Sequence, residues 1–260
     1  MDILLLDIET SPNTAYVWGI WNENIPIARL IDHSHLLCWS AKWLGEDTEV
    51  IFNRSDNISS SLTNLNDRSY SQKNMNMLVE LHHLLDKADI VVTYNGNRFD
   101  IPVVNKEFLL NRMNPPSPYK SVDLYKVVKN KFRFTSNKLD YVSSQLGIGN
   151  KHDTTFELWV KCMEGDKVAW EYMEKYNKQD VLLLEKLYYR LLPWSKFPLI
   201  YSSVDELTCP HCNNKNVQKR GKSLTKSMTY QRYQCMNCGT WFRKVKGEGI
   251  VSTENRTVPL

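Results

Sequence analysis

Apolar residues open the chain as an unbroken run, Ile3-Leu4-Leu5-Leu6, which then alternates with acids through Asp7, Ile8 and Glu9. A run that is apolar at every position suits a strand covered on both faces, so a central buried strand is expected here. Residues 15–20, 35–44 and 49–52 alternate in part and are rich in Trp and Val, which marks three further strands. The polar stretch 53–73, with four serines between positions 55 and 61, reads as a mobile excursion. Over 75–88 the apolar positions Met77, Leu78, Leu81, Leu84, Leu85 and Ala88 recur at helical spacing, and a strand over 90–94 follows at once. A helix over 101–112 is stopped by Asn114-Pro115-Pro116. Helical spacing then dominates residues 123–131, 137–146, 156–163 and 166–192, until Pro193 and Pro198 break it. A meander of strands, then helix–strand–helix, then a helical half predicts an α/β domain: a mixed sheet with helices packed against it.

The six cysteines divide into two groups. Cys38 and Cys162 stand alone and are expected to behave as small core residues. Cys209/Cys212 and Cys235/Cys238 form two C-x-x-C pairs, and with no export signal at the start of the chain that spacing favours metal over disulfides. Asp2 stands where a signal peptide would be basic, and Asp7 and Glu9 interrupt the apolar run, which is also too short to span a membrane. A cytoplasmic protein with no membrane contact is expected. Charge is uneven along the chain: residues 1–204 carry 23 basic and 25 acidic residues, whereas 205–260 carry 10 and 4, and 209–247 hold nine basic residues and no acid. A near-neutral body with a basic tail points to a polyanionic partner for the tail.

Asp7 and Glu9, two residues apart on a strand, point to one face. Two adjacent acids are costly unless a cation lies between them, although Asp-x-Glu-Thr-Ser-Pro also suits a chain leaving a sheet into a turn. Asp100 follows the strand at 90–94 in a position that suits a helix N-cap. Tyr176 and Asp180 lie one turn apart on the last helix, close to the apolar stripe of Val181, Leu184, Leu187 and Leu191, and a buried Tyr and Asp need partners. Asp123 reads as an N-cap in preference to a fifth ligand, and Lys138 and Lys151 either contact phosphate or are solvated. Trp18, Trp21, Trp39 and Trp43 are expected in the core or on a sheet face, with base stacking the alternative for one of them.

Taken together, Asp7-Ile8-Glu9-Thr10, Asn95-x4-Asp100 with Phe99 before the acid, and Tyr176-x3-Asp180 resemble the three exonuclease motifs of the DEDD superfamily in its tyrosine-bearing branch. That branch includes the proofreading domain of family B DNA polymerases. The stretch from Phe134 through Ser136-Asn137-Lys138-Leu139-Asp140-Tyr141-Val142 to Gly149 is similar to stand-alone, phage-type relatives of that domain. Where the other branch has a His five residues before the last acid, this chain has Lys175.

The resemblance implies an RNase H-like (DnaQ-like) fold over 1–197. It also implies 3′→5′ exonuclease activity, in which Asp7, Glu9, Asp100 and Asp180 share two Mg²⁺ or Mn²⁺ ions, Asp7 bridging them. Tyr176 would orient the attacking water, since an unperturbed Tyr, with a pKa of about 10, is a poor general base at neutral pH. Asn95 and Phe99 would touch the terminal nucleotides. Hard divalent ions want oxygen ligands, and a pair of them can both activate water and neutralise phosphate charge.

Cys209-Pro-His-Cys212 and Cys235-Met-Asn-Cys238-Gly239 have the form of a zinc ribbon over 205–247, with one structural Zn²⁺ held by four thiolates and His211 outside the ligand set. So small a module cannot build much core, and the metal would supply much of its folding energy. Lys219, Arg220, Lys222, Arg232, Arg243 and Lys244 interleave with Tyr230, Tyr233, Trp241 and Phe242, a pattern suited to phosphate contact with base stacking. The alternative is that the aromatics form the ribbon's own small core. Residues 248–260 are expected to be a flexible tail. The function expected is hydrolysis at the 3′ end of single-stranded DNA, acting alone or beside a separate polymerase or replication protein, whose docking is the alternative role for the ribbon. An RNA-trimming enzyme of the same fold and a catalytically inert nucleic-acid-binding accessory protein are the alternatives.

Overall fold

The computed structural model describes residues 2–45, 49–55, 72–195, 207–210, 212–224 and 229–243. Most of the polar excursion at 53–73, His211, Lys244 and the 248–260 tail therefore lie outside the described residues. The chain forms two compact units, Met1–Leu187 and Tyr188–Leu260. No helix among the described residues is long and apolar enough to cross a membrane.

The first unit is built on a five-stranded mixed sheet. Its strands are β1 (Ile3–Thr10), β4 (Leu36–Trp43), β5 (Ile51–Arg54), β6 (Ile90–Thr93) and β7 (Lys120–Asp123), in the order β5-β4-β1-β6-β7. β1 is central, as its unbroken apolar run requires: it pairs antiparallel with β4 and parallel with β6, and Leu4, Leu5 and Leu6 are fully buried. Leu4, Leu6 and Ile8 face one way, into a cluster with Met77, Leu78, Leu81 and Leu85 of α1 (Gln72–Lys87) and Val104 and Phe108 of α2 (Asp100–Leu110). Leu37 and Cys38 pack on the opposite side with Cys162 of α5 (Phe156–Glu164) and Ala169, Trp170, Met173 and Tyr176 of α6 (Lys167–Leu191). The domain is thus a sheet with helices on both faces, an RNase H-like α/β fold.

The pairing register sets up the site. β6 pairs with β1 only as far as Leu5, so Asp7 and Glu9 run past the end of β6 on the face of Leu5, while they remain paired with β4 through Ser40 and Cys38. Beyond Thr93 the chain turns sharply. Asn95 adopts a left-handed conformation (φ 65°), and Gly96 passes so close over the strand that a Cβ there would collide with the Thr93 side chain. This turn delivers Asp100, the first residue of α2, beside β1.

One strand expectation is corrected. Only Thr14–Ala15 (β2) is extended, paired with β3 (Leu30–Asp32), and residues 16–20 form no strand. The Glu23 carboxylate accepts the Trp18 and Gly19 amides at 3.1 and 2.8 Å, so these backbone donors bond a side chain instead of a neighbouring strand. Trp18 and Trp21 are consequently 92% and 84% exposed, not core residues. Trp39 is fully buried, with its indole N–H donating to the Met77 carbonyl at 3.2 Å, and Trp43 packs against the core edge.

α3 (Leu124–Lys131) is capped by Asp123, whose Oδ1 accepts from Tyr125 N at 3.1 Å and from Asn95 N at 2.8 Å. After α4 (Leu139–Gln145), α5 ends at Gly165 in the left-handed region (φ 88°), and the next residue caps α6. There Asp166 Oδ1 accepts the Ala169 amide at 2.9 Å.

The second unit takes in the end of α6 and a three-stranded antiparallel sheet, β8 (Val217–Leu224), β9 (Thr229–Cys235) and β10 (Trp241–Arg243), in the order β10-β9-β8. α6 carries Tyr176 and Asp180, so its N-terminal attachment matters to the site. Asp166→Ala is expected to lower stability by about 1 kcal/mol, the usual cost of a lost N-cap. Urea unfolding would read this as a lower midpoint at unchanged slope.

Candidate active site

Three of the acids meet where β1 runs past β6. Carboxylate oxygens of Asp7, Glu9 and Asp180 lie within 4.8 Å of one another. Asp7 and Glu9 come from one face of β1, and Asp180 comes from α6, which packs on that face. Asp100 stands beside this group: its Oδ1 accepts the Ile8 amide at 3.3 Å, a backbone donor that β6 no longer reaches. Asp100 and Asp180 are buried.

Neutral and cationic side chains hold the acids in place. Asn177 Nδ2 donates to Asp7 Oδ2 at 2.6 Å, and Trp159 Nε1 donates to Glu9 Oε2 at 3.3 Å. Lys151, from the connection between α4 and α5, forms an ion pair with Asp180 Oδ2 and lies 3.3 Å from the Tyr176 hydroxyl. Its ammonium also sits 5.1 Å from the centre of the Tyr176 ring, which is edge-on to Trp159.

Burial and mutual repulsion raise the proton affinity of the whole cluster. Asp7 is pushed well above the carboxylate range by burial first and then by Asp180, Asp100 and Glu9. Glu9 rises to about 8, through burial and then Asp180. Asp100 rises to about 7, chiefly through burial, against the hydrogen bonds it accepts. Asp180 is raised by burial, although Lys151 pulls the other way. Burial alone would favour neutral Lys151, but Asp180, Tyr176 and Asp7 outweigh it and hold the ammonium charged. Burial and Asp180 raise the Tyr176 hydroxyl, so the phenol keeps its proton.

These residues fit divalent cations. The donors are all carboxylate oxygens, suited to hard ions. One ammonium does not neutralise four acids, and Asp180 Oδ1 is buried with no hydrogen-bond partner among the described residues. Lys151 pairs with Asp180, one of the four.

A cavity of about 580 Å³ opens from Asp7 and Lys151 and is also lined by Tyr94, Asn95, Arg98 and Lys138. Asn95 thus lies on the wall of this cavity. Phe99 is exposed at the start of α2 and lies outside the cavity walls. Asn177, Trp159 and Arg98 were not expected in the site. Asn177 carried a legible signal, since it lies three residues before Asp180 on the same helical face and a buried Asn needs partners. Trp159 and Arg98 had none, because only the packing of α5 and the turn after β6 bring them in.

In the second unit the four C-x-x-C cysteines converge, their sulfurs all within 4.8 Å. Cys209 and Cys238, and Cys212 and Cys235, are 3.6 Å apart, and none is in a disulfide. Four thiolates about 2.3 Å from one Zn²⁺ in a tetrahedron would be about 3.8 Å apart, so the spacing fits a zinc ribbon. The two knuckles repeat one hydrogen-bond pattern. Cys209 N bonds Asn214 O and Asn213 N bonds Cys209 O; Cys235 N bonds Thr240 O and Gly239 N bonds Cys235 O. In each, the residue after the second cysteine is left-handed: Asn213 at φ 55° and Gly239 at φ 74°. The Cys238 thiol is pulled down to about 4, first by Cys209 and then by Thr240, while burial pushes Cys235 up.

Among the basic residues of this unit, Lys219, Arg220 and Lys222 are exposed on β8. Arg232 lies over the Trp241 ring and Arg243 over Tyr230, at 4.8 and 4.1 Å. Tyr233 and Phe242 stack across β9 and β10, so aromatics here serve the ribbon's own packing.

The family model of the RNase H superfamily matches residues 49–192, more than half of the chain, and the chain belongs to that superfamily of nucleases. The match begins after β4, so the strand bearing Asp7 and Glu9 lies outside it. Among solved structures, the chain is similar to the family B DNA polymerase from the hyperthermophilic archaeon Pyrobaculum calidifontis. The likeness has a TM-score of 0.53 and 16% identity over 74% of this chain, and it spans 25% of the polymerase. No curated protein matches the chain.

The electrostatics predict how the metal-free protein responds to pH. Glu9 and Asp100 bind protons more tightly folded than unfolded, so stability falls as pH rises from about 4.5 to about 8. Thermal melting in EDTA should therefore decline across this window, and Mg²⁺ or Mn²⁺ should restore stability most strongly at its upper end. A profile without slope would mean that these acids do not share a buried site.

Proposed function

We propose that this protein is a metal-dependent 3′→5′ exonuclease that removes nucleotides from the 3′ end of single-stranded DNA. The observation that carries this reading is the meeting of Tyr176 and Asp180, one turn apart on α6, with Asp7 and Glu9 across the sheet face. Asp100 and the charged Lys151 stand beside them. The motif order that resembles the tyrosine-bearing DEDD branch supports the polarity.

Asp7, Glu9, Asp100 and Asp180 would hold two Mg²⁺ or Mn²⁺ ions. When bound, these supply an activated water and positive charge against the phosphate. The water oxygen bonds to phosphorus as the P–O3′ bond breaks, the leaving oxygen takes a proton, and a nucleoside 5′-monophosphate is released. Tyr176, protonated at neutral pH, orients the water by hydrogen bonding and does not act as a base. Lys151 stays charged and adds positive potential next to Tyr176 and Asp180, where charge develops. Asn177 and Trp159 fix the Asp7 and Glu9 carboxylates. Asn95, on the cavity wall, would contact the terminal nucleotide, with Phe99 at the margin.

In this reading residues 1–197 form the exonuclease domain and 205–247 the ribbon. Cys209, Cys212, Cys235 and Cys238 would hold one structural Zn²⁺. Lys219, Arg220, Lys222, Arg232, Arg243 and Lys244 would contact nucleic acid or a replication partner.

End-labelled single-stranded DNA and RNA of matched sequence, digested with Mg²⁺, Mn²⁺ or EDTA, test the reaction. The expected result is a metal-dependent ladder retreating from the 3′ end of DNA. Asp7→Ala is expected to abolish cleavage and to leave binding largely intact. A ladder advancing from the 5′ end, or undiminished cleavage by the variant, would overturn the assignment. For the ribbon, elemental analysis should find one zinc per chain, falling to none in Cys235→Ser.

A further inference from the structure

Beyond the active-site cavity lies a second cavity of about 480 Å³, walled by the end of α3 and the segment that follows it. Its lining is Lys129, Asn130, Lys131, Phe132, Arg133, Phe134 and Asn137. Three cations stand within five residues there, two aromatic rings alternate with them, and no carboxylate among the described residues lines the walls. A volume of this size is in the range of small-ligand sites and has room for a nucleotide.

The two cavities share a lining residue, Asn137. Its carbonyl accepts the Tyr94 hydroxyl at 2.6 Å, which ties the loop to the end of β6 beside the turn that delivers Asp100. Its side-chain oxygen is buried and has no hydrogen-bond partner among the described residues. A donor on a ligand that passes from one cavity to the other would satisfy it. Lys129 makes a second link, since its ammonium lies 5.9 Å from the centre of the Tyr125 ring, and Tyr125 lines the first cavity. Phe132 and Phe134 are half-buried and inclined to each other, their centres 6.0 Å apart, so neither is a fully enclosed core ring.

We infer that this basic, aromatic cavity is a subsite for the upstream part of the single strand, holding its phosphates with Lys129, Lys131 and Arg133 and stacking its bases on Phe132 and Phe134. This rests on the proposed function for the position of the 3′ end at Asp7. A single strand suits the lining because exposed cations track a backbone and aromatic faces accept any base, whereas paired bases present no free faces. The subsite supplies a basic path within the first unit, whose overall charge is not basic. A strand long enough to reach it gains contacts that a single nucleotide cannot make.

The test compares two substrates and one binding measurement on the full chain. The p-nitrophenyl ester of thymidine 5′-monophosphate fills only the catalytic end, while a ten-nucleotide single-stranded DNA reaches both cavities. The triple variant K129Q/K131Q/R133Q changes exposed side chains, and Phe134→Leu keeps an apolar contact without a stacking face.

For each variant, kcat/KM on the ten-mer is expected to fall about ten-fold or more through KM, with the ester turned over as by the unsubstituted protein. Binding of the ten-mer in EDTA should weaken in parallel. In the triple variant the slope of log affinity against log salt should shrink by about 2. Equal losses on both substrates, or an unchanged ten-mer with an unchanged salt slope, would overturn the subsite. If the unsubstituted protein cleaves neither substrate, the proposed function fails. The subsite then stands or falls on the binding and salt slope alone.

Discussion

Three carboxylates, from Asp7, Glu9 and Asp180, bring their oxygens within 4.8 Å of one another at the edge of a hydrophobic core, and their mutual repulsion is what the rest of the site is arranged around. In so dry a place each charge raises the pKa of its neighbours. The protein offsets this with a few specific contacts: an amide on Asp7, an indole on Glu9, an ammonium on Asp180 and a backbone N–H on Asp100. None of these removes the excess negative charge. An arrangement that costs stability when empty and suits hard cations is expected of a site built to be filled.

The sheet order is what makes the cluster possible. Because β6 stops at the level of Leu5, β1 keeps one paired edge and exposes the other, and the first residue of α2 enters that gap. The same turn that brings in Asp100 places Asn95 and Arg98 on the cavity wall, so one strand end serves both the acids and the approach to them. α6 packs on the opposite side of the sheet from α1 and α2 and presents Tyr176, Asn177 and Asp180 from successive turns. Fixing these groups from four separate elements limits how far any one can drift, and charge stabilisation depends on that rigidity.

The cysteine unit solves a different problem by the same means. Its sheet is too small to enclose a core, and its aromatics are spent on Tyr233–Phe242 stacking and on cation–ring contacts with Arg232 and Arg243. Two knuckles with one hydrogen-bond pattern, each closed by a left-handed residue, bring four sulfurs to tetrahedral spacing. Arg232 and Arg243 are thereby engaged with rings, while Lys219, Arg220 and Lys222 are exposed along one strand.

Residue order alone determined the central strand, the α/β class and the cysteine knuckles, because these depend on periodicity and on short-range spacing. An unbroken apolar run has few other places to go, and C-x-x-C is a local geometry. The same local logic paired Asp7 with Glu9 and Tyr176 with Asp180. It failed at residues 16–20, where Glu23 captures the backbone donors that a strand would have used and turns Trp18 and Trp21 outward. Only the tertiary structure decided that Lys151 and Trp159 attend the acids, that Asn177 takes Asp7 as its partner, and that Asn137 lines two cavities. Those contacts span long separations along the chain, and no period or propensity encodes them; they exist because α5, α6 and the loops around α4 pack onto one end of one strand.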